Sequence, residues 1–245
     1  METQSRHDLK INGAGNTAGG KFNDVIINGV GDINGDVECI NFKANGASSI
    51  IGNLSSKSAK INGSTSVRGE LNSDELKVNG SAEINGTINV KDTKVNGEVK
   101  LNGNMKADSV ELHGWMKIAG DCNAESFVSS GGFSITGMLN ADEIDIKLHG
   151  PCKAKEIGGE QIRVKKGNEF TLKKIIKSIF TSWDLNGKLS ADVIEGDDIE
   201  LEATKAKIVR GNNVKIGSDC EIELVEYKNS FNQTAKNGVK ENKKI

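Results

Sequence analysis

From Asp24 to Asp142 the apolar and polar positions return every 17 residues without a slip. One apolar column reads Ile33, Ile50, Val67, Ile84, Leu101, Ile118 and Ile135; a second reads Val37, Leu54, Leu71, Ile88, Met105, Cys122 and Leu139; a third reads Ile27, Ala44, Ile61, Val78, Val95 and Leu112. Within one unit the apolar or small positions fall two apart, as in Phe42, Ala44, Ser48, Ile50, Leu54 and Ser56. That period belongs to a strand with one face turned inward, and it excludes helical solenoids.

Two glycine columns keep the same step. The first holds Gly29, Gly46, Gly63, Gly80, Gly97, Gly114 and Gly131, and the second holds Gly35, Gly52, Gly69, Gly86, Gly103, Gly120 and Gly137. With the polar pair Lys57 and Ser58, they divide each unit into three short strands and three corners. The pattern predicts an all-β fold, a three-sided parallel β-helix with one coil per unit. Glycine suits such a corner because it accepts a left-handed φ. Asn28, Asn45, Asn62, Asn79 and Asn96 precede the first glycine column; asparagine also tolerates that region and bonds the neighbouring backbone.

The regular coils occupy 24–142 of a β-helix expected over 9–164, after a flexible N-terminus at 1–8. Ile11-Asn12-Gly13 forms an opening corner one residue out of step with Gly29. Past Asp142, Ile144 and Ile146 keep the phase, Leu148-His149-Gly150 is displaced by two, and Ile162 with Val164 resumes an alternating strand. Leu189 to Ile194 echoes Leu139 to Ile144, with Gly187 placed as Gly137 is, so C-terminal coils are expected over 185–227, through Ile199, Leu201, Ile208, Val214, Ile216, Ile222 and Leu224. Residues 228–245 have little to bury and read as a disordered basic tail.

Between the two groups of coils, 165–184 reads as an amphipathic helical insertion. Leu172, Ile175, Ile176, Ile179, Phe180 and Trp183 follow helical spacing, and Lys173, Lys174 and Lys177 fall on the other side. Packing against the solenoid, binding to an anionic membrane surface and docking to a protein partner all fit this stripe. Phe170, Phe180 and Trp183 beside Lys165 and Lys166 have the composition of an interfacial helix, which places the inner face of the cell membrane among the expected partners.

Composition narrows the function. The net charge of −2 gives no bulk attraction to nucleic acid, and 4% aromatic residues with a single proline, Pro151, suit narrow laddered coils. No apolar run approaches the roughly 20 residues of a membrane span, and the start is polar, so a cytoplasmic chain is expected. Cys39 and Cys122 fall in inward columns, and none of the four cysteines has metal-ligand spacing, so they read as structural thiols. His113 and His149 stand where other coils place asparagine, His7 lies apart from both, and no catalytic set accompanies them. Lys43, Lys60, Lys77 and Lys94 form an outward column that reads as a solvated face beside Asp74, Asp92 and Asp108, or as a contact for an anionic surface. Trp115 stands in an outward column of Ala47, Ser64, Ser81 and Glu98, as a lone ring or the edge of a contact patch. No catalytic, cofactor or metal residue is expected. Hexapeptide-repeat transferases use coils of about 18 residues, against the step here.

The Val/Ile-x-Gly corners, as in Lys60-Ile61-Asn62-Gly63 and Lys77-Val78-Asn79-Gly80, resemble the bactofilins, together with the run Ile194-Glu195-Gly196-Asp197-Asp198-Ile199-Glu200-Leu201 and Val209-Arg210-Gly211-Asn212-Asn213-Val214. The resemblance covers 10–227 and is closest to the longer two-part form of Gram-positive bacilli. It implies a right-handed three-sided β-helix and a non-enzymatic cytoskeletal scaffold. Such a scaffold polymerises without nucleotide, alone or with a paralogous bactofilin, and serves cell shape, polarity or motility. Physics points the same way, since a terminal coil exposes unpaired backbone groups above an apolar core. The alternatives are a non-polymerising binding scaffold and, less well supported, a hexapeptide-like transferase.

Overall fold

The computed structural model describes residues 6–167, 187–234 and 238–245. Their regular structure is entirely β, and the strands pair in parallel, coil on coil. The chain divides into two compact units, Met1–Cys122 and Asn123–Ile245.

In the first unit the 17-residue step is a hydrogen-bonded register: Ala47 lies opposite Ser64, Ser64 opposite Ser81, Ser81 opposite Glu98 and Glu98 opposite Trp115. Each coil has three faces. The strand Leu71–Val78 supplies two of them, its register passing over Asp74 at the corner, and Ser81–Ile84 supplies the third. Leu71, Leu76, Val78, Ala82 and Ile84 point inward and are buried. Identical positions stack at every turn, so each inward column becomes a continuous apolar thread. Two places are polar: Ser48 Oγ and Thr65 Oγ1, both buried, lie 2.8 Å apart and satisfy each other, and Thr93 is buried in the column of Leu76 and Val110. The opening coil is less regular. His7–Ile11 pairs with Ala14–Ile27, and Ala14 stands opposite Val30 but Gly20 opposite Val37, with a shift between Ala18 and Gly20. Strand structure therefore begins at His7, inside the stretch expected to be flexible.

In the second unit the step varies. One inward column runs Leu139, Ile157, Ile194, Val209, Val225 and Asn242, each opposite the next. The interval from Ile157 to Ile194 contains 168–186, so the ladder continues across that segment. The proposed helix residues Leu172, Lys173, Lys174, Ile175, Ile176, Lys177, Ile179, Phe180 and Trp183 lie outside the described residues. Lys165 and Lys166, however, belong to the strand Glu156–Lys166.

Three expectations are corrected here. Leu189 stands opposite Cys152, which stands opposite Phe133, so Leu189 to Ile194 is not the counterpart of Leu139 to Ile144; Ile194 itself shares the Leu139 column. Short alternating runs satisfy more than one register, and only the pairing partner chooses. Secondly, Ile208 and Leu224 are half-buried, while their neighbours Val209 and Val225 fill the core. Thirdly, the stretch read as a disordered tail is largely strand, in Glu221–Gln233 and Val239–Lys244. A strand laid on an existing ladder satisfies its backbone there and needs no core of its own.

Candidate functional site

The corners show why the glycine columns exist. A Cβ built on Gly46, Gly63, Gly80, Gly97 or Gly114 would stand 1.9–2.0 Å from the carbonyl oxygen of the preceding column glycine. Those carbonyls are engaged: Gly63 O accepts the N–H of Ser81 at 2.8 Å, and Gly80 O accepts that of Glu98 at 2.8 Å. In the second column Gly69 and Gly120 face Asn53 Oδ1 and Asn104 Oδ1, and Gly86 and Gly103 face the preceding backbone. The left-handed φ expected at these corners occurs at Gly35 alone among the described column glycines, at 113°. Coil spacing, not dihedral freedom, demands glycine. Gly29 meets Gly13 O at 2.1 Å and Gly52 meets Gly35 at 2.6 Å, whereas Gly131 and Gly137 lie in the second unit, buried and half-buried.

The asparagines do something other than bend the chain. Asn28 Nδ2 donates to Asn12 Oδ1 at 2.8 Å, and the same bond repeats from Asn45 to Asn28, Asn62 to Asn45, Asn79 to Asn62 and Asn96 to Asn79 at 2.7–2.8 Å. Stacked identical amides form a ladder of the kind seen between chains in cross-β assemblies. At the next turn His113 takes the asparagine place, its amide donating to Val95 O at 2.8 Å as Asn96 donates to Val78 O. His113 Nε2 lies 2.6 Å from Glu111 Oε1, which also accepts from Lys94 Nζ at 2.7 Å; Lys94 first, then His113, hold the Glu111 carboxyl below its usual range. Recurrence of asparagine every 17 residues was the available signal for the ladder.

The outward lysine column is in register, with Lys43, Lys60 and Lys77 exposed and Lys94 paired to Glu111. Trp115 is half-buried beside Glu98 in its column. His149 Nδ1 meets Ser130 O at 3.1 Å. All four cysteines are free and buried, and burial pushes the thiols of Cys39, Cys122 and Cys152 up to about 12. Among the described residues no group of acidic, histidine or cysteine side chains has the geometry to hold a metal ion, and no helix is long and apolar enough to cross a membrane.

The free strand edges remain as the candidate functional surfaces. In the first unit, His7–Ile11 and Ala14–Gly20 overlie a core that opens with Ile11 and Phe22. In the second unit the outermost described strand is Val239–Lys244.

Residues 47–140, which fall within the stretch of regular 17-residue repeats, match the bactofilin family, described as polymer-forming cytoskeletal. The chain carries a bactofilin domain. Two uncharacterised proteins of Bacillus subtilis, YhbE and YhbF, are 43% and 38% identical to it over 93 and 104 residues. These matches cover 37% and 41% of this chain and only 35% and 40% of the two relatives. No solved structure matches the chain. The bactofilin match spans five of the seven glycines in the first column, Gly63 to Gly131, and six of the seven in the second, Gly52 to Gly137.

Proposed function

We propose that this bactofilin-domain protein is a non-enzymatic cytoskeletal scaffold that assembles end to end into filaments without nucleotide, at the inner face of the cell membrane. The observation that carries the reading is the polymer-forming family match, on coils whose register already stacks one turn on the next through backbone ladders. Extending that stack from one subunit to another adds ladder bonds and buries apolar end surface at roughly 25 cal/mol per Å². Shape, polarity or motility apparatus is the cargo class such a filament serves, and a paralogous bactofilin is a second partner able to enter the same stack.

Membrane attachment is assigned to the stripe Leu172, Ile175, Ile176, Ile179, Phe180 and Trp183 with Lys173, Lys174 and Lys177. A single such segment binds weakly, and a filament presents many in a row, so attachment depends on assembly.

Electron microscopy of the purified protein in buffer free of nucleotide and metal tests the first part: filaments are expected, and a discrete monomer at micromolar concentration overturns it. Ile84→Asp, which buries an unpaired carboxylate at a cost of several kcal/mol, is expected to abolish assembly. Co-sedimentation with anionic vesicles tests the second part. Ile176→Glu/Phe180→Glu is expected to stay in the supernatant while still forming filaments.

A further inference from the structure

The sequence joins asparagine to glycine at Asn12, Asn28, Asn34, Asn45, Asn62, Asn79, Asn85, Asn96 and Asn102, and again at Asn186 and Asn237, which lie outside the described residues. Asparagine before glycine is the dipeptide most open to loss of its side-chain amide, because no Cβ on the glycine hinders attack by the glycine nitrogen on the asparagine Cγ. The attack needs two freedoms. The asparagine amide must turn towards the main chain, and the glycine N–H must be released from any hydrogen bond.

Stacking withdraws these freedoms at most of the corners. Asn45, Asn62 and Asn79 are held on both sides, each donating to the asparagine before it and accepting from the one after it at 2.7–2.8 Å. The glycines are engaged as well: Gly46 N–H donates to Ile27 O at 3.3 Å, Gly63 N–H to Ala44 O at 3.1 Å, Gly80 N–H to Ile61 O at 3.3 Å and Gly97 N–H to Val78 O at 3.1 Å. Asn28, Asn34, Asn96 and Asn102 donate from Nδ2 to Asn12, Asn16, Asn79 and Asn85, and after Asn85 the Gly86 N–H donates to Gly69 O at 3.0 Å.

Asn12 is the exception. Its Oδ1 accepts from Asn28, but among the described residues its Nδ2 has no partner, and neither has the N–H of Gly13. Both residues are exposed, and nothing lies within 4 Å of a Cβ built on Gly13.

We propose that Asn12-Gly13 is a self-modifying site, at which the folded chain loses the Asn12 amide while the stack keeps its other described Asn-Gly corners intact. Gly13 N gives its proton to solvent and attacks Asn12 Cγ; a C–N bond forms, the Cγ–Nδ2 bond breaks, and the amide nitrogen takes a proton from solvent and leaves as ammonia. Water then opens the cyclic imide. Opening at Cγ gives aspartate, and opening at the main-chain carbonyl of residue 12 gives isoaspartate, in which the chain runs through Cγ and is longer by a methylene. Either product places a new carboxylate at the opening corner. Aspartate still accepts from Asn28 Nδ2, whereas isoaspartate displaces Gly13 and breaks the bond from Val30 N–H to Gly13 O, 2.9 Å in the unmodified chain. The reaction marks older chains at the opening coil, irreversibly and without an enzyme.

The test follows the full chain through warm incubation at mildly alkaline pH, by tryptic digestion and mass spectrometry, with circular dichroism confirming that the β fold persists. Cleavage after lysine and arginine places Asn12, Asn45, Asn62, Asn79 and Asn96 in separate peptides. The Asn12 peptide is expected to gain aspartate and isoaspartate roughly tenfold faster than the other four, which must first break ladder bonds. Gly13→Ala, which the open space around Gly13 admits, is expected to slow Asn12 to their rate without loss of fold. In urea, where the ladder is gone, all five are expected to convert at similar rates. An Asn12 that stays intact in the folded chain, or equal rates at the five, overturns the proposal. So does a ladder that stays as resistant in urea as in the fold, since the stack is then not what protects it. Loss of the amide without isoaspartate, or at an undiminished rate in Gly13→Ala, overturns the attack by Gly13 N.

Discussion

The carbonyl oxygen of Gly63 stands 2.0 Å from the point that a Cβ on Gly80 would occupy. That oxygen bonds the amide of Ser81 at 2.8 Å, so it cannot move aside without breaking a rung between coils. Gly80→Ala is expected to destabilise the first unit by about 1–3 kcal/mol, the range for forcing an extra methyl into packed structure. Gly13→Ala is the matched control, because nothing lies within 4 Å of its added Cβ. Urea unfolding should lower the midpoint for the first variant and leave the second within about 0.5 kcal/mol of the parent.

The hydroxyls of Ser48 and Thr65 form a closed pair inside the core, 2.8 Å apart. Thr65→Val removes one partner and leaves Ser48 Oγ buried without another, which costs about 1–3 kcal/mol. Ser48→Ala/Thr65→Val removes both groups and should recover most of that loss. A double-mutant cycle by thermal unfolding checks it, and additive single losses would show that the pair is not coupled.

Alkaline pH should weaken the fold through its thiols. Burial raises the Cys122 pKa from its ordinary 9.0 to about 12, so the folded chain keeps a proton that the unfolded chain releases. The stability this gives is whole below pH 9.0 and falls as pH rises from there towards 12, by about 1.4 kcal/mol per pH unit for each such thiol. Cys39 and Cys152 act in the same direction. Urea midpoints measured from pH 8 to 10.5 should decline, and Cys122→Ala should decline less steeply.

What the sequence by itself determined is the part of the chain where every local signal agrees. Along the first unit, the inward columns of Ile84, Leu71 and Val78, the glycine corners and the step of 17 all specify one register, and the structure has that register. Buried alternation leaves no second solution there, because a slip of one residue would turn Ile84 and its column to water. The same reasoning located the inward thiols Cys39 and Cys122.

Tertiary structure decided the rest, for reasons that single residues do not carry. The choice between Ile208 and Val209, or Leu224 and Val225, depends on which strand lies opposite, since both members of each pair are apolar. The demand for glycine at Gly80 comes from the carbonyl of Gly63 in the coil before it, a contact 17 residues away in sequence. The asparagine amides of Asn62 and Asn45 find each other only after the coils are stacked. Val239–Lys244, too polar to predict as core, becomes a strand because Glu221–Gln233 offers it an unpaired backbone edge, and a ladder accepts any residue whose amide and carbonyl can reach it.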